Sequence, residues 1–191
     1  MKPDSHVIHI LPCDNPGSFE HRIASSRKGG IDSEMENRFF YEDSGHVRRL
    51  NTFQLNELMG DYGYVLTHSY YANQYHGAVR WMSRTSIPMI LKLTDARFAI
   101  DGETKAWFRK LRLRLLFLYV IQLPSSLMGR LSLIYNKSLL YRLMQLFLFL
   151  PSLVSRPFHA WVDGKASSEW DRQKQSENGS EMYMHYARID R

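Results

Sequence analysis

The sequence predicts a mixed α/β fold, and three observations carry that reading. A short β-branched run opens the chain at residues 7–11. An amphipathic helix leads straight into an aromatic, β-branched strand over residues 52–71. A long helical stretch then separates these elements from a final alternating segment at residues 181–189. With 191 residues, 44% hydrophobic and 13% aromatic, the chain has the material for a packed core.

Val7, Ile8, His9, Ile10 and Leu11 lie between turn residues and Pro12, the pattern of a strand buried inside a sheet. Such a strand needs a neighbour on each edge. No element precedes it that could flank it, so earlier strands are expected outside residues 1–191. Asp14 to Ser18 is turn chemistry. Ser18 is expected to cap a helix from Phe19 to about Arg27, with Glu20 favourable in its first turn, and Gly29-Gly30 to end it. Residues 31–45 are polar around the aromatic cluster Phe39, Phe40 and Tyr41, and read as a substrate-side loop or short helix. Thr52 is expected to cap a helix whose apolar side holds Phe53, Leu55, Leu58 and Met59; residues 64–71 follow as a strand.

Residues 77–160 differ in kind. Apolar residues recur at helical spacing in two stripes, Phe108, Leu111, Leu115 and Leu118, then Leu139, Leu143, Leu146 or Phe147, and Leu150. Pro124, Gly129, Pro151 and Pro157 are expected to divide this stretch into four helices. Residues 163–179 read as a polar linker before the last strand.

The net charge of +6 is concentrated. Ten basic residues face three acidic ones between residues 92 and 142, a local +7 that leaves the remainder at −1. That distribution excludes a general nucleic-acid-binding surface and favours a local anionic partner. Cys13 is the only cysteine, so no internal disulfide can form and a reducing, cytoplasmic compartment is the expectation. The scattered histidines lack ligand spacing with it, and no metal site is expected.

Two segments carry a family resemblance. The phrase Lys2-Pro3-Asp4-Ser5-His6-Val7-Ile8 resembles the "LKPGG" turn and following strand of class I S-adenosylmethionine-dependent methyltransferases, with Asp4 and Ser5 in place of the two glycines. Gly45-His46-Val47-Arg48-Arg49-Leu50, with Thr52, Leu55, Leu58 and Tyr62-Gly63-Tyr64, is similar to that family's segment leading through the last helix into the sixth strand. The likeness covers roughly residues 1–75 and 180–191. It implies a partial Rossmann-like sheet made of the last three strands, with the C-terminal strand inserted antiparallel between the other two and a large helical insertion before it. The core would be residues 1–76 and 180–191, and the insertion residues 77–179. The glycine-rich cofactor loop and the ribose-binding acidic residue have no counterpart. The resemblance therefore implies S-adenosylmethionine as cofactor, held in an N-terminal half encoded upstream of Met1, and a chain inactive alone.

In that family the loop after the fifth strand faces the acceptor, which makes Asn15, Glu20 and His21 the catalytic candidates, His21 as general base. The alternative for His21 is a solvated histidine on a helix face. His46 and Arg48, with Phe39 and Tyr41, are read as substrate-binding residues or as a clamp on the last helix; for His46 and Arg48 the clamp is preferred. Cys13 reads as a small buried residue rather than a nucleophile.

The basic, apolar insertion is too interrupted by arginine to span a bilayer. Two readings stay open: an interfacial element using Arg109, Lys110, Arg112, Arg114 and Trp107 at an anionic membrane surface, or a lid over the substrate pocket. Both suit a small or lipid-linked methyl acceptor and a peripheral location on the inner membrane face. The competing function is a non-catalytic membrane-surface or interaction module that retains a remnant of the fold.

Overall fold

The computed structural model describes residues 5–34, 37–43, 49–132 and 139–188. In chain order the elements are β1 (His6–Pro12), α1 (Phe19–Ser25), a short ladder of β2 (Ile31–Asp32) and β3 (Arg38–Phe39), α2 (Thr52–Asp61), β4 (Tyr64–Ala72), α3 (His76–Arg84), α4 (Ile87–Leu93), a 3₁₀ turn (Ala96–Phe98), α5 (Gly102–Ser132), α6 (Leu139–Gln173) and β5 (Glu181–Arg188). The architecture is mixed α/β, with a three-stranded sheet in the order β1-β5-β4.

β5 is antiparallel to both neighbours, pairing His9 with Met184 on one side and Met184 with Ser69 on the other. β1 and β4 therefore run parallel with β5 between them. One sheet face is covered by α2, where Leu55 and Met59 meet Met182, Met184, Tyr186 and Tyr71. Val7 and Leu11 of β1 point to the same side and pack on this cluster. The opposite face is only partly covered, by Trp170 of α6 against Tyr70 and Tyr183.

Among the described residues β1 lies at the sheet edge rather than in the interior position that its composition predicts, and only β5 pairs with it. The Cys13 amide donates to the Ser180 carbonyl at 2.9 Å, and the Arg188 amide to the Ser5 carbonyl at 3.1 Å. In an antiparallel ladder that parity turns the odd-numbered amides of β1 toward β5 and leaves those of His6, Ile8 and Ile10 facing outward. The side chains of Ile8 and Ile10 are 69% and 59% exposed on the uncovered face. Apart from Pro12 at its end, this edge strand with two exposed isoleucines lacks the charges, prolines and bulges that blunt natural edges.

The second core is helical. Phe108, Leu111, Leu115 and Leu118 of α5 bury against Ile23 of α1, Met82 of α3 and Ile90 and Leu93 of α4. The first predicted stripe is thus a core stripe. The second is not, because Leu139, Leu143, Leu146, Phe147 and Leu150 are all exposed.

Tertiary context overrides three local expectations. Pro124 lies within α5, and Pro151 and Pro157 within α6, so none ends a helix. Next to Pro124, the Ser125 amide donates to Ser155 Oγ of α6 at 2.9 Å, so the neighbouring helix takes up a backbone donor beside the proline. Residues 163–173 continue α6 rather than forming a linker. Asn51, not Thr52, caps α2, in a capping box with Gln54. Of the two readings for residues 31–45, loop and short helix, the described residues show a loop carrying the β2–β3 ladder and not the helix.

The extension of α6 has a structural reason. α3 begins at a tyrosine that offers no side-chain cap, and Glu169 of α6 accepts the amides of Tyr75, His76 and Gly77 at 3.0, 2.6 and 3.0 Å. A buried carboxylate on three free amides caps the helix from outside and complements its dipole. Glu169→Ala is expected to cost about 2–3 kcal/mol, since three buried donors lose a charged acceptor. A urea midpoint within error of the parent would show that the amides find other partners.

Candidate functional site at the carboxyl ends of β1 and β4

The strand end of β1, the turn behind it and the loop before α2 meet in a buried polar network. Phe19, Ile23 and Ala24 of α1 point into the helical core, and Glu20 is buried with them. A carboxylate on an apolar helix face requires donors, and Glu20 has three. Its Oε2 accepts from the Tyr41 hydroxyl at 2.6 Å and from Arg49 Nη2 at 3.1 Å, and its Oε1 from Trp81 Nε1 at 2.8 Å.

Arg49 is the hub. Its Nε donates to Glu42 Oε1 at 2.6 Å and its Nη1 to the Cys13 carbonyl at 3.2 Å, while its guanidinium lies 4.2 Å from the Phe39 ring centre. Glu42 also accepts the Phe39 amide at 2.9 Å. Cys13 belongs to the sheet cluster and Phe39 and Tyr41 to the helical one, so a single side chain ties the two cores together. Burial works against the charge on Arg49, yet Tyr41, Glu20 and Glu42 outweigh it and hold its pKa above the ordinary guanidinium value. Burial, reinforced by Glu20, pushes the Tyr41 hydroxyl well above its usual range.

A cleft of about 420 Å³ opens on this network, lined by Glu20, Tyr41, Arg49, Trp81, Asn73 and Glu181 among others. It lies where β1 and β4 end and β5 begins. Trp81 of α3 and Met89 of α4 form one wall, so these two short helices, rather than the long α5–α6 pair, cover the cleft.

Beside the network, His21 Nδ1 meets Asp14 Oδ1 at 2.5 Å. The Ser18 cap fixes the start of α1 by accepting the His21 amide at 3.1 Å, and Asp14 sits on the turn behind β1. The carboxylate orients the ring and favours the tautomer that leaves the Nε2 lone pair free. Among the described residues Nε2 has no hydrogen-bond partner. This pair has the form of a general base with its orienting acid.

The predicted site residues thus divide. Glu20 is engaged on both oxygens as a clamp and is not free to move a proton. Asn15 Oδ1 accepts from the Thr52 amide and hydroxyl at 3.1 and 3.3 Å, joining the β1 turn to α2, while its Nδ2 is buried without a partner among the described residues. Phe39 and Tyr41 belong to the clamp. His46 and Arg48 lie outside the described residues. The sequence reading missed Arg49, Asp14 and Trp81. The usable signal was Glu20 itself, since a carboxylate within the apolar side of α1 calls for a cation elsewhere.

The predicted surface cluster on α5 also divides. Arg109 and Lys110 are exposed. Arg112 donates to the Thr94 carbonyl at 2.7 Å, and Arg114 bonds the Tyr75 hydroxyl. Trp107 is partly buried against Phe19, with Arg22 over its ring at 4.7 Å.

Cys13 is fully buried, and desolvation pushes its thiol up to about 12. Cys13 and Tyr41 both keep their protons in the fold at pH values where the unfolded chain releases them. The folded state then binds more protons, so stability falls as pH rises from about 9 towards 12, by about 1.4 kcal/mol per pH unit per group. Urea midpoints measured from pH 8 to 11 check this; a flat profile would contradict it.

No protein-family model matches the chain, and comparison with curated proteins and with solved structures finds no match.

Proposed function

We propose that this chain is the acceptor-side part of an S-adenosylmethionine-dependent methyltransferase with a Rossmann-like sheet, acting on a small or lipid-linked acceptor. The observation that carries the reading is the strand order β1-β5-β4, with the C-terminal strand antiparallel between two parallel ones. That order is what the resemblance of residues 1–75 and 180–191 requires, and it is not the arrangement that short connections produce by default. The cleft at the carboxyl ends of β1 and β4 is where α/β sheets bind ligands, and the outward amides and exposed isoleucines of β1 supply an edge for further strands.

The described residues do not fit the cofactor. Gly29 and Gly30 form the turn after α1 rather than a loop between strand and helix, and a Cβ on Gly30 would lie 2.0 Å from the Ala24 carbonyl oxygen. At Gly17 a Cβ would meet the side-chain amide of Asn178. On this reading the methyl donor is held by polypeptide outside residues 1–191, and the residues here bind the acceptor and manage its proton. His21, oriented by Asp14, takes the proton of a hydroxyl acceptor at Nε2. The non-catalytic reading draws its support from Glu20 and Asn15, whose bonds are structural.

The experiment is calorimetric titration of S-adenosylhomocysteine into the chain alone and into the chain joined to the segment encoded upstream of it. Saturable heat is expected only for the joined protein. An upstream sequence without a glycine-rich strand–helix turn, or a joined protein that gives no heat, overturns the methyltransferase reading and favours the non-catalytic one.

A further inference from the structure

The first half of α6 turns a broad apolar surface to solvent, interrupted by Arg142. Leu139, Leu143, Leu146, Phe147 and Leu150 form one exposed stripe, Leu140, Met144 and Phe149 widen it past half of the helix turn, and Leu146 and Phe147 are 72% and 79% exposed. An exposed apolar surface this wide marks a face that is covered in its working environment. The exposed surface continues down the hairpin, through Val154, Phe158 and Trp161 of α6 and Leu113, Phe117 and Val120 of α5. Phe117, Phe158 and Trp161 also line an apolar groove of about 520 Å³ between the two helices.

The charge on this element selects its cover. No aspartate or glutamate occurs between Glu103 and Asp163. Arg130, Arg142 and Arg156 border the apolar surface, and among the described residues none has an ion-pair partner. Arg130 and Arg156 line one cleft of about 1330 Å³ beside the helices. A second copy would bring like charges together, and a neutral apolar partner would leave the arginines unused. We infer that the α5–α6 hairpin docks into the interface of an anionic lipid leaflet, with the exposed apolar side chains of residues 139–154 among the acyl chains and Arg130, Arg142 and Arg156 at the phosphates.

Spanning is opposed by length and packing. Residues 139–154 reach roughly 24 Å, short of a hydrocarbon core of about 30 Å. Gly102–Leu131 is long and apolar enough to cross by composition, but its Phe108, Leu111, Leu115 and Leu118 side is held in the helical core. The inference rests on the hairpin and stands whether or not the chain serves methyl transfer.

The test uses the full chain and phosphatidylcholine vesicles with and without phosphatidylglycerol. Flotation is expected with the anionic vesicles only, and to weaken as salt is raised. Arg142→Gln and Arg156→Gln should each lower the vesicle affinity about fivefold. Leu146→Asp/Phe147→Asp should abolish flotation while leaving the urea midpoint unchanged, because both side chains are exposed. A polarity-sensitive dye on Phe147→Cys should shift to the blue with anionic vesicles. Failure to float, or equal flotation on neutral vesicles, overturns the proposal. So does a concentration-dependent dimer that the double aspartate variant dissolves and that does not float.

Discussion

Replacing Arg49 by methionine is expected to destabilise the fold by about 3–5 kcal/mol at neutral pH, the cost of removing one member of a buried ion cluster. The side chain is buried between Glu20 and Glu42, and methionine would leave two carboxylates facing each other without a cation. For a domain of ordinary stability that is a large share of the total. The pH dependence identifies the cause. In the variant the orphaned carboxylates are neutralised as pH falls, so the deficit against the parent should shrink on acidification, whereas a packing defect would persist. Adding Glu20→Gln to Arg49→Met should recover part of the loss. A neutral-pH cost below about 1 kcal/mol would remove Arg49 from its place as the tie between the two cores.

The second large effect concerns turnover. In the joined protein, His21→Ala is expected to lower methyl transfer to a hydroxyl acceptor by about 10²–10⁴-fold while leaving S-adenosylhomocysteine binding unchanged, the contribution of a positioned base. Asp14→Asn should act in the same direction, because an amide can hold the ring in the tautomer with its proton on Nε2. Glu20→Gln, by contrast, should appear as lost stability. Full activity in His21→Ala would return His21 to the role of an oriented but inert side chain.

Where local chemistry decided the outcome, it could be read from sequence. Ser18 caps α1 as expected, β4 follows α2 almost at once, and the alternation at residues 181–188 gives a strand with Met182, Met184 and Tyr186 inward. The stripe from Phe108 to Leu118 buries because its period matches one helix face. What sequence could not supply was the partner. Glu20 and Arg49 lie 29 residues apart, and nothing local to either announces the other. Asp14 and His21 meet only because the turn behind β1 folds back over the start of α1. Residues 163–173 read as a linker because their apolar content is low, yet Glu169 gives them a reason to be helical that resides on α3. The prolines of α5 and α6 failed as breakers for a related cause, since helix neighbours accommodate what an isolated helix could not.

The functional reading requires further strands beside β1, and amide hydrogen exchange at Ile8 and Ile10 addresses that requirement most directly. Both amides face away from β5, so in the chain alone they should exchange at nearly the rate of an open edge, while Val7 and His9 are protected. Joined to the upstream-encoded segment, Ile8 and Ile10 should become as slow as their neighbours. If they are already protected in the chain alone, or stay fast in the joined protein while it binds S-adenosylhomocysteine, β1 is not where the rest of the sheet attaches.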